Sequence, residues 1–230
     1  MKPIIKIQQI ALSFTLIILL SFWTGAFSIQ SIIELQIGLK IIGALITALS
    51  SIGIYRILIS LLSSLLENNS YFKKWVYGAD YLEGTWIGFY IGAKGLVRYM
   101  IEEYEQSLDG LIIRGKSFDE NLKYHTSWVS TSSNIDSVSG RVSFMYETYS
   151  IKDDKNNNGI AFFNFERENR NTPPTILIGF SSDLFLAGKR LPAIEIKLDE
   201  KIPMKQALNE AVKFYKENKD HIFVTSNINK

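Results

Sequence analysis

The chain contains no cysteine, which excludes a disulfide framework, thiolate catalysis and cysteine-bound metal, and which suits a reducing compartment. Histidine is almost as scarce. There are only His125 and His221, no Gly-x-Ser-x-Gly elbow, no phosphate loop and no metal-ligating histidine pair, so the reading is a protein that is not an enzyme and needs no cofactor or metal. His125 lies on a strand face among polar residues, and Asp153-Asp154 reads as a solvated turn in a Lys/Asn-rich loop. An excess of one charge is missing too. With 25 Lys and Arg against 23 Asp and Glu, the net charge of +2 gives no field of the kind that duplex nucleic acid requires.

Charge is scarcest in the first third, where Lys2, Lys6, Glu34, Lys40 and Arg56 are the charged residues before Glu67. From Ile10 to Ile29 an uncharged stretch of about twenty residues is long enough, at ~1.5 Å per residue, to cross ~30 Å of hydrocarbon. A second apolar run from Leu35 to Leu66 is broken by Gln36, Lys40 and Arg56, and reads as the return span. Transmembrane helices are therefore expected at about 10–29 and 37–56, within a two-helix region 1–66 whose last turns continue at the interface. A cleaved signal peptide is the rival for the first span, but its apolar core is long and Gly25, Ala26 and Ser28 make a weak cleavage pattern. Lys2 and Lys6 before the pair, with Lys73 and Lys74 after it, put both termini in the cytoplasm by the positive-inside rule. Trp23, Trp75 and Tyr77 are candidate interfacial anchors. Gly43, Ala44 and Ala48 are candidates for close helix approach, either to a second copy or to the first helix of the same chain.

After a juxtamembrane linker at 67–80 the pattern changes to about eight short runs rich in aromatic and β-branched residues. The runs span Leu82 to Ile91, Leu96 to Gln106, Leu111 to Phe118, Leu122 to Thr131, Val138 to Tyr149, Ile160 to Arg167, Thr175 to Phe185 and Ala193 to Leu198. Turn formers separate them, including Asp109-Gly110, Ser132-Ser133-Asn134 and Asn156-Asn157-Asn158-Gly159. Connections this short favour antiparallel neighbours, and a sheet of eight strands can close on itself. The expected fold is membrane-anchored all-β: two N-terminal transmembrane helices, then an eight-stranded up-and-down, lipocalin-like antiparallel β-barrel over 81–225. A helix at about 203–218 should pack on the barrel or plug one end, with Met204, Ala207, Leu208, Ala211, Val212 and Tyr215 on its apolar face. A polar tail follows at 226–230.

Alternation assigns Leu122, Tyr124, Thr126, Trp128 and Ser130 to the interior, and likewise Val138, Gly140, Val142, Phe144, Tyr146 and Thr148. An interior of rings and hydroxyls suits a nucleotide, because aromatic faces stack bases while cations and hydroxyls hold phosphates. The stacking candidates are Tyr90, Tyr124, Trp128 and Tyr146. Arg98, Arg114, Lys116 and Arg141 are the phosphate candidates, Arg141 in an outward phase, and Thr126 and Thr148 are possible hydroxyl partners.

Two helices followed by a compact β-rich domain, with Tyr81-Leu82-Glu83-Gly84-Thr85-Trp86-Ile87-Gly88-Phe89-Tyr90 opening its first strand, resemble the two-transmembrane, β-strand-rich effectors of bacterial CBASS anti-phage immunity. Gly84-Thr85-Trp86 is also similar to the Gly-x-Trp opening of lipocalins. The resemblance spans nearly the whole chain. It implies an anti-phage effector of the bacterial inner membrane whose barrel senses a cyclic dinucleotide made by a partner synthase. Self-association and membrane disruption would then cause abortive infection. The site residues come from strand phase and side-chain chemistry rather than from a family motif. A membrane-tethered, lipocalin-like carrier of a lipid or other hydrophobic ligand is the alternative, and a purely structural anchor is the third reading.

Overall fold

A computed structural model describes residues 3–30, 37–92, 94–149, 157–184 and 189–227; the side chains at 22–23, 25–30, 37–44 and 221–227 lie outside that description. The chain divides into two compact units, Met1–Tyr77 and Gly78–Lys230. Trp23, Gly43, Ala44, His221 and Asp153-Asp154 have side chains or positions outside the described residues.

The first unit is built from α1 (Pro3–Gln30), α2 (Ile37–Asn68) and the short α3 (Ser70–Tyr77). Both long helices start or end several residues beyond the expected spans, and α2 continues unbroken through the stretch expected to lie at the interface. Within the described residues, Pro3–Ser21 and Leu45–Asn68 are each long and apolar enough to cross a membrane, with mean hydropathy 1.9. Their hydroxyls turn back onto the helix: Ser13 Oγ donates to Gln9 O at 2.8 Å, Thr15 Oγ1 to Ala11 O at 2.8 Å and Ser21 Oγ to Ile17 O at 2.9 Å. That pattern satisfies a polar group without water.

At the end of α2 the carbonyl of Leu65 accepts from the Asn69 amide, and Asn69 Oδ1 accepts from the Phe72 amide at 2.9 Å, so Asn69 caps α3. The linker expected at 67–80 is thus largely helical. Lys6 Nζ donates to the Trp75 carbonyl at 2.7 Å, which brings the start of α1 beside the element that follows α2. The two long helices therefore form an antiparallel hairpin. Tyr77, expected at an interface, is buried, whereas Trp75 is exposed.

The second unit begins with a 3₁₀ turn and contains β1 (Gly84–Ile91), β2 (Val97–Ser107), β3 (Gly110–Phe118), β4 (Tyr124–Asp136), β5 (Arg141–Tyr149), β6 (Asn157–Glu166), β7 (Ile176–Asp183), β8 (Arg190–Lys197) and α4 (Met204–Asn227). Each strand pairs antiparallel with its sequence neighbours and β1 pairs with β8, giving a closed eight-stranded barrel. Closure leaves no unpaired edge for another chain to extend. One face of the sheet lines an interior of Trp86, Met100, Tyr104, Ile113, Val142, Phe144, Phe163 and Leu177.

The helix α4 lies against the outside of β1, β2 and β8. Ala207, Leu208, Ala211 and Phe214 pack there on Ile87, Phe89, Tyr99, Phe118 and Ile194. Phe89 meets the rings of both Phe214 and Tyr215 edge-on. This explains why β1 is apolar on both faces, as a strand covered on two sides must be. The helix covers the barrel wall and runs past the expected end at 218, while Met204 at its first turn is exposed rather than packed.

Two strand assignments change. β4 runs through Ser132-Ser133-Asn134, where a turn was expected, because a register shift between Ser130 and Ser132 absorbs the extra residue. Ser130 Oγ accepts the Ile113 amide there at 2.8 Å, replacing a ladder carbonyl. The turn instead falls after Asp136, whose carboxylate accepts from the Val138 and Ser139 amides. Val138, expected inside, is 86% exposed in that turn, and Gly140 beside it has a φ of 68°. Asn157, Asn158 and Gly159, expected in a break, belong to β6.

Candidate ligand-binding interior

Strand phase divides the interior into a sealed half and a polar half. At the end where the chain enters the barrel, Trp86 Nε1 donates to Leu82 O at 2.8 Å, and its ring lies 5.3 Å from that of Tyr104. Gln106 clamps this end, accepting the Leu82 amide on Oε1 at 2.9 Å and donating from Nε2 to Asp80 O at 2.8 Å. Lys197 Nζ lies over the Tyr81 ring at 4.3 Å.

Above this floor sit two buried carboxyls that sequence reasoning missed. Glu102 on β2 and Glu195 on β8 are 2% and 1% exposed and lie on either side of β1, where Glu102 pairs with Trp86 and Glu195 with Gly88. Trp128 Nε1 donates to Glu102 Oε1 at 2.6 Å, and the Tyr104 hydroxyl donates to Glu195 Oε2 at 3.0 Å. The remaining oxygens, Glu102 Oε2 and Glu195 Oε1, are buried with no hydrogen-bond partner, and the two carboxyls act on each other electrostatically. Burial pushes both acids above the ordinary carboxyl range, and the neighbouring carboxylate raises Glu195 further. Tyr104 is likewise raised by burial and by the two acids. The signal was present in β2, where Met100, Glu102, Tyr104 and Gln106 share one phase.

The other half of the interior gathers most of the ligand candidates. The Tyr90 hydroxyl donates to Ser117 Oγ at 3.3 Å, and the Tyr146 hydroxyl donates to Asp183 Oδ1 at 2.9 Å. Arg98 pairs with Tyr90 across β1 and β2, shares the phase of Met100 and Glu102, and donates from Nη1 to Val97 O at 3.0 Å. Burial raises Tyr90, Tyr146 and Asp183 above their ordinary values. Thr126 Oγ1 donates to Tyr149 O at 3.0 Å and Thr148 Oγ1 to Asn157 O at 3.0 Å, placing hydroxyls along the β4, β5 and β6 wall.

Trp128 and Tyr146 lie flat against the wall because the residues opposite them are glycines. Trp128 pairs with Gly115, and a β-carbon at Gly115 would overlap the indole. Tyr146 pairs with Gly159, where a β-carbon would overlap the phenol ring. Each ring therefore covers a glycine on the neighbouring strand.

Four candidates lie elsewhere. Arg114 is on the outer face, ion-paired with Glu105, and Lys116 is exposed on the same face two residues on. Tyr124 faces outward because the β3–β4 register shifts between Ser117 and Phe118. It pairs with Phe118, meets that ring edge-on and donates to Ser127 Oγ at 3.0 Å. Leu122, expected inside, is a turn residue with a φ of 60°. Arg141 is exposed on the outside, donating from Nε to Asn164 Oδ1 at 3.2 Å. Of the helix candidates, Ala48 is exposed on α2.

Among the described residues no group of three or more His, Cys, Asp or Glu could hold a metal ion. A scan against protein-family models finds no match to the chain, and a search of curated proteins finds none either.

Proposed function

We propose that this chain is a membrane-anchored receptor-effector: the helical hairpin sits in the bacterial inner membrane, and the barrel, on the cytoplasmic side with both termini, takes a cyclic dinucleotide. Ligand binding promotes self-association, and the assembled helices disrupt the membrane to cause abortive infection in anti-phage defence. A partner synthase supplies the ligand. The observation that carries the reading is the polar half of the barrel interior, where Trp128 and Tyr146 present flat faces beside Arg98 and the hydroxyls of Tyr90, Thr126 and Thr148.

Flat rings stack bases, and an arginine with hydroxyls holds phosphate oxygens. Burial favours the neutral form of Glu102 and Glu195, which lessens the interior charge that would repel an anion. A carrier of an apolar ligand is less well supported, since its cavity would be lined mainly by hydrocarbon. Membrane placement is supported by the outward-facing Leu12, Phe14, Leu16, Leu45, Leu49 and Leu61, an apolar surface that water would not tolerate.

Mechanistically, a ligand with higher affinity for one barrel arrangement shifts the population toward it, and helices brought together in lipid repack through small residues such as Ala48. Co-expression with a cyclic-dinucleotide synthase tests this. Growth should stop and an impermeant DNA dye should enter the cells only when both proteins are present. Growth unchanged by any synthase of this class would contradict the reading.

A further inference from the structure

One face of α1 carries a gradient. Lys6, Gln9, Ile10, Phe14 and Ile17 recur at three- and four-residue spacing and, with Trp75 of α3, line a groove of about 490 Å³. Its polar end is organised. Lys6 Nζ donates to the Trp75 carbonyl at 2.7 Å and sits 4.1 Å from the centroid of the Trp75 ring, which fixes an otherwise flexible ammonium in place. An ammonium has three N–H groups, so further capacity to donate remains beyond the carbonyl. The other end is apolar: Phe14 and Ile17 are exposed, and Ser13 also presents only hydrocarbon because its hydroxyl is turned back to Gln9 O.

We propose that this groove seats one anionic phospholipid, its phosphate at Lys6 and Gln9 and one acyl chain along Ile10 to Ile17. From Lys6 to Ile17 the helix rises ~16 Å at ~1.5 Å per residue, close to the ~15 Å depth of one leaflet's hydrocarbon. Trp75 and Tyr71, 55% and 86% exposed on α3, mark the headgroup level. Charge selects the occupant. A second copy of α1 would bring its own Lys6 against the first, whereas a phosphate complements it. The inference rests on the membrane placement proposed above, so extraction is measured first.

The full-length chain, shown to stay in the membrane fraction after alkaline extraction, is taken into mild detergent with equal phosphatidylglycerol and phosphatidylcholine. Native mass spectrometry then counts the retained lipids. One phosphatidylglycerol should be retained about fivefold over phosphatidylcholine, the scale expected of a single lysine at a headgroup. Lys6→Gln should lose the preference, while Lys74→Gln, a change outside the groove, should keep it. Equal retention of the two lipids, a preference that survives Lys6→Gln, or a dimer that excludes lipid would overturn the proposal. Failure at the extraction step would instead remove the membrane reading itself.

Discussion

The two units of this chain use the same kinds of apolar side chain in opposite ways. In the hairpin, Leu45, Leu49 and Leu61 point outward, with Leu49 69% exposed, while the barrel turns Trp86, Tyr104, Ile113 and Leu177 inward until almost nothing of them is accessible. Polar groups follow the inverse rule. The hairpin's hydroxyls are returned to its own backbone, whereas the barrel interior holds two carboxyls, an arginine and a wall of hydroxyls. A water-soluble fold with a purely structural task does not need a polar interior, and a water-soluble fold does not tolerate the hairpin's surface. The contrast supports the proposal that one unit is made for lipid and the other for a polar guest.

The sharpest way to break this contrast is to truncate one large side chain in each unit. Trp86→Ala should destabilise the barrel by about 3–5 kcal/mol, because a fully buried indole and its hydrogen bond to Leu82 are lost together. Leu49→Ala, in a side chain 69% exposed, should leave the barrel's unfolding by urea unchanged within ~0.5 kcal/mol. Equal losses would mean that the two surfaces are not opposites.

Next in size is the buried acid pair. Glu102→Ala strands the Trp128 N–H and should cost about 1–3 kcal/mol in the same urea measurement. The pair also sets a pH dependence. Because the folded acids are raised above their ordinary value of 4.5, their contribution to stability is complete below that pH and is lost as pH rises through the folded values. Barrel stability should therefore decline from mildly acidic to alkaline pH, and Glu195→Gln, which keeps a neutral group in place, should flatten the decline. A curve in the variant as steep as in the natural chain would contradict the role of the acid pair.

A smaller structural effect should separate binding from folding. Gly159→Ala pushes the Tyr146 ring off the wall into the lumen, so ligand affinity should fall about tenfold by titration calorimetry while the barrel remains folded by near-ultraviolet circular dichroism. Gly43→Leu in α2 should change neither quantity. Its expected effect is loss of toxicity with ligand affinity intact, and undiminished toxicity would remove that helix face from the assembly step.

The barrel was legible in sequence because short β-rich runs alternate with turn formers, and closure follows from their number and from connections too short for crossovers. What escaped was local. Ser132-Ser133-Asn134 carries turn chemistry but lies inside β4, where a register shift accommodates it. Tyr124 faces outward because the shift beside Phe118 reverses the alternation that assigned it to the interior. Arg114 and Lys116 were chosen for their charge, whereas the phase of β3 puts Gly115 and Ser117 inside instead. The acid pair was readable from the phase of β2, but its partner on β8 depends on closure of the barrel, which no local pattern encodes.

Calorimetric titration of the full-length chain in lipid nanodiscs with a panel of cyclic dinucleotides tests the central claim most directly. At least one member should bind saturably. Arg98→Ala, altering the arginine inside the barrel, should weaken that binding about 10- to 100-fold, the range for lost hydrogen bonds to a charged group. Arg114→Ala, altering the one outside, should leave it unchanged. Fatty-acid binding with no response to any cyclic dinucleotide, or equal losses from the two arginine variants, would contradict the account.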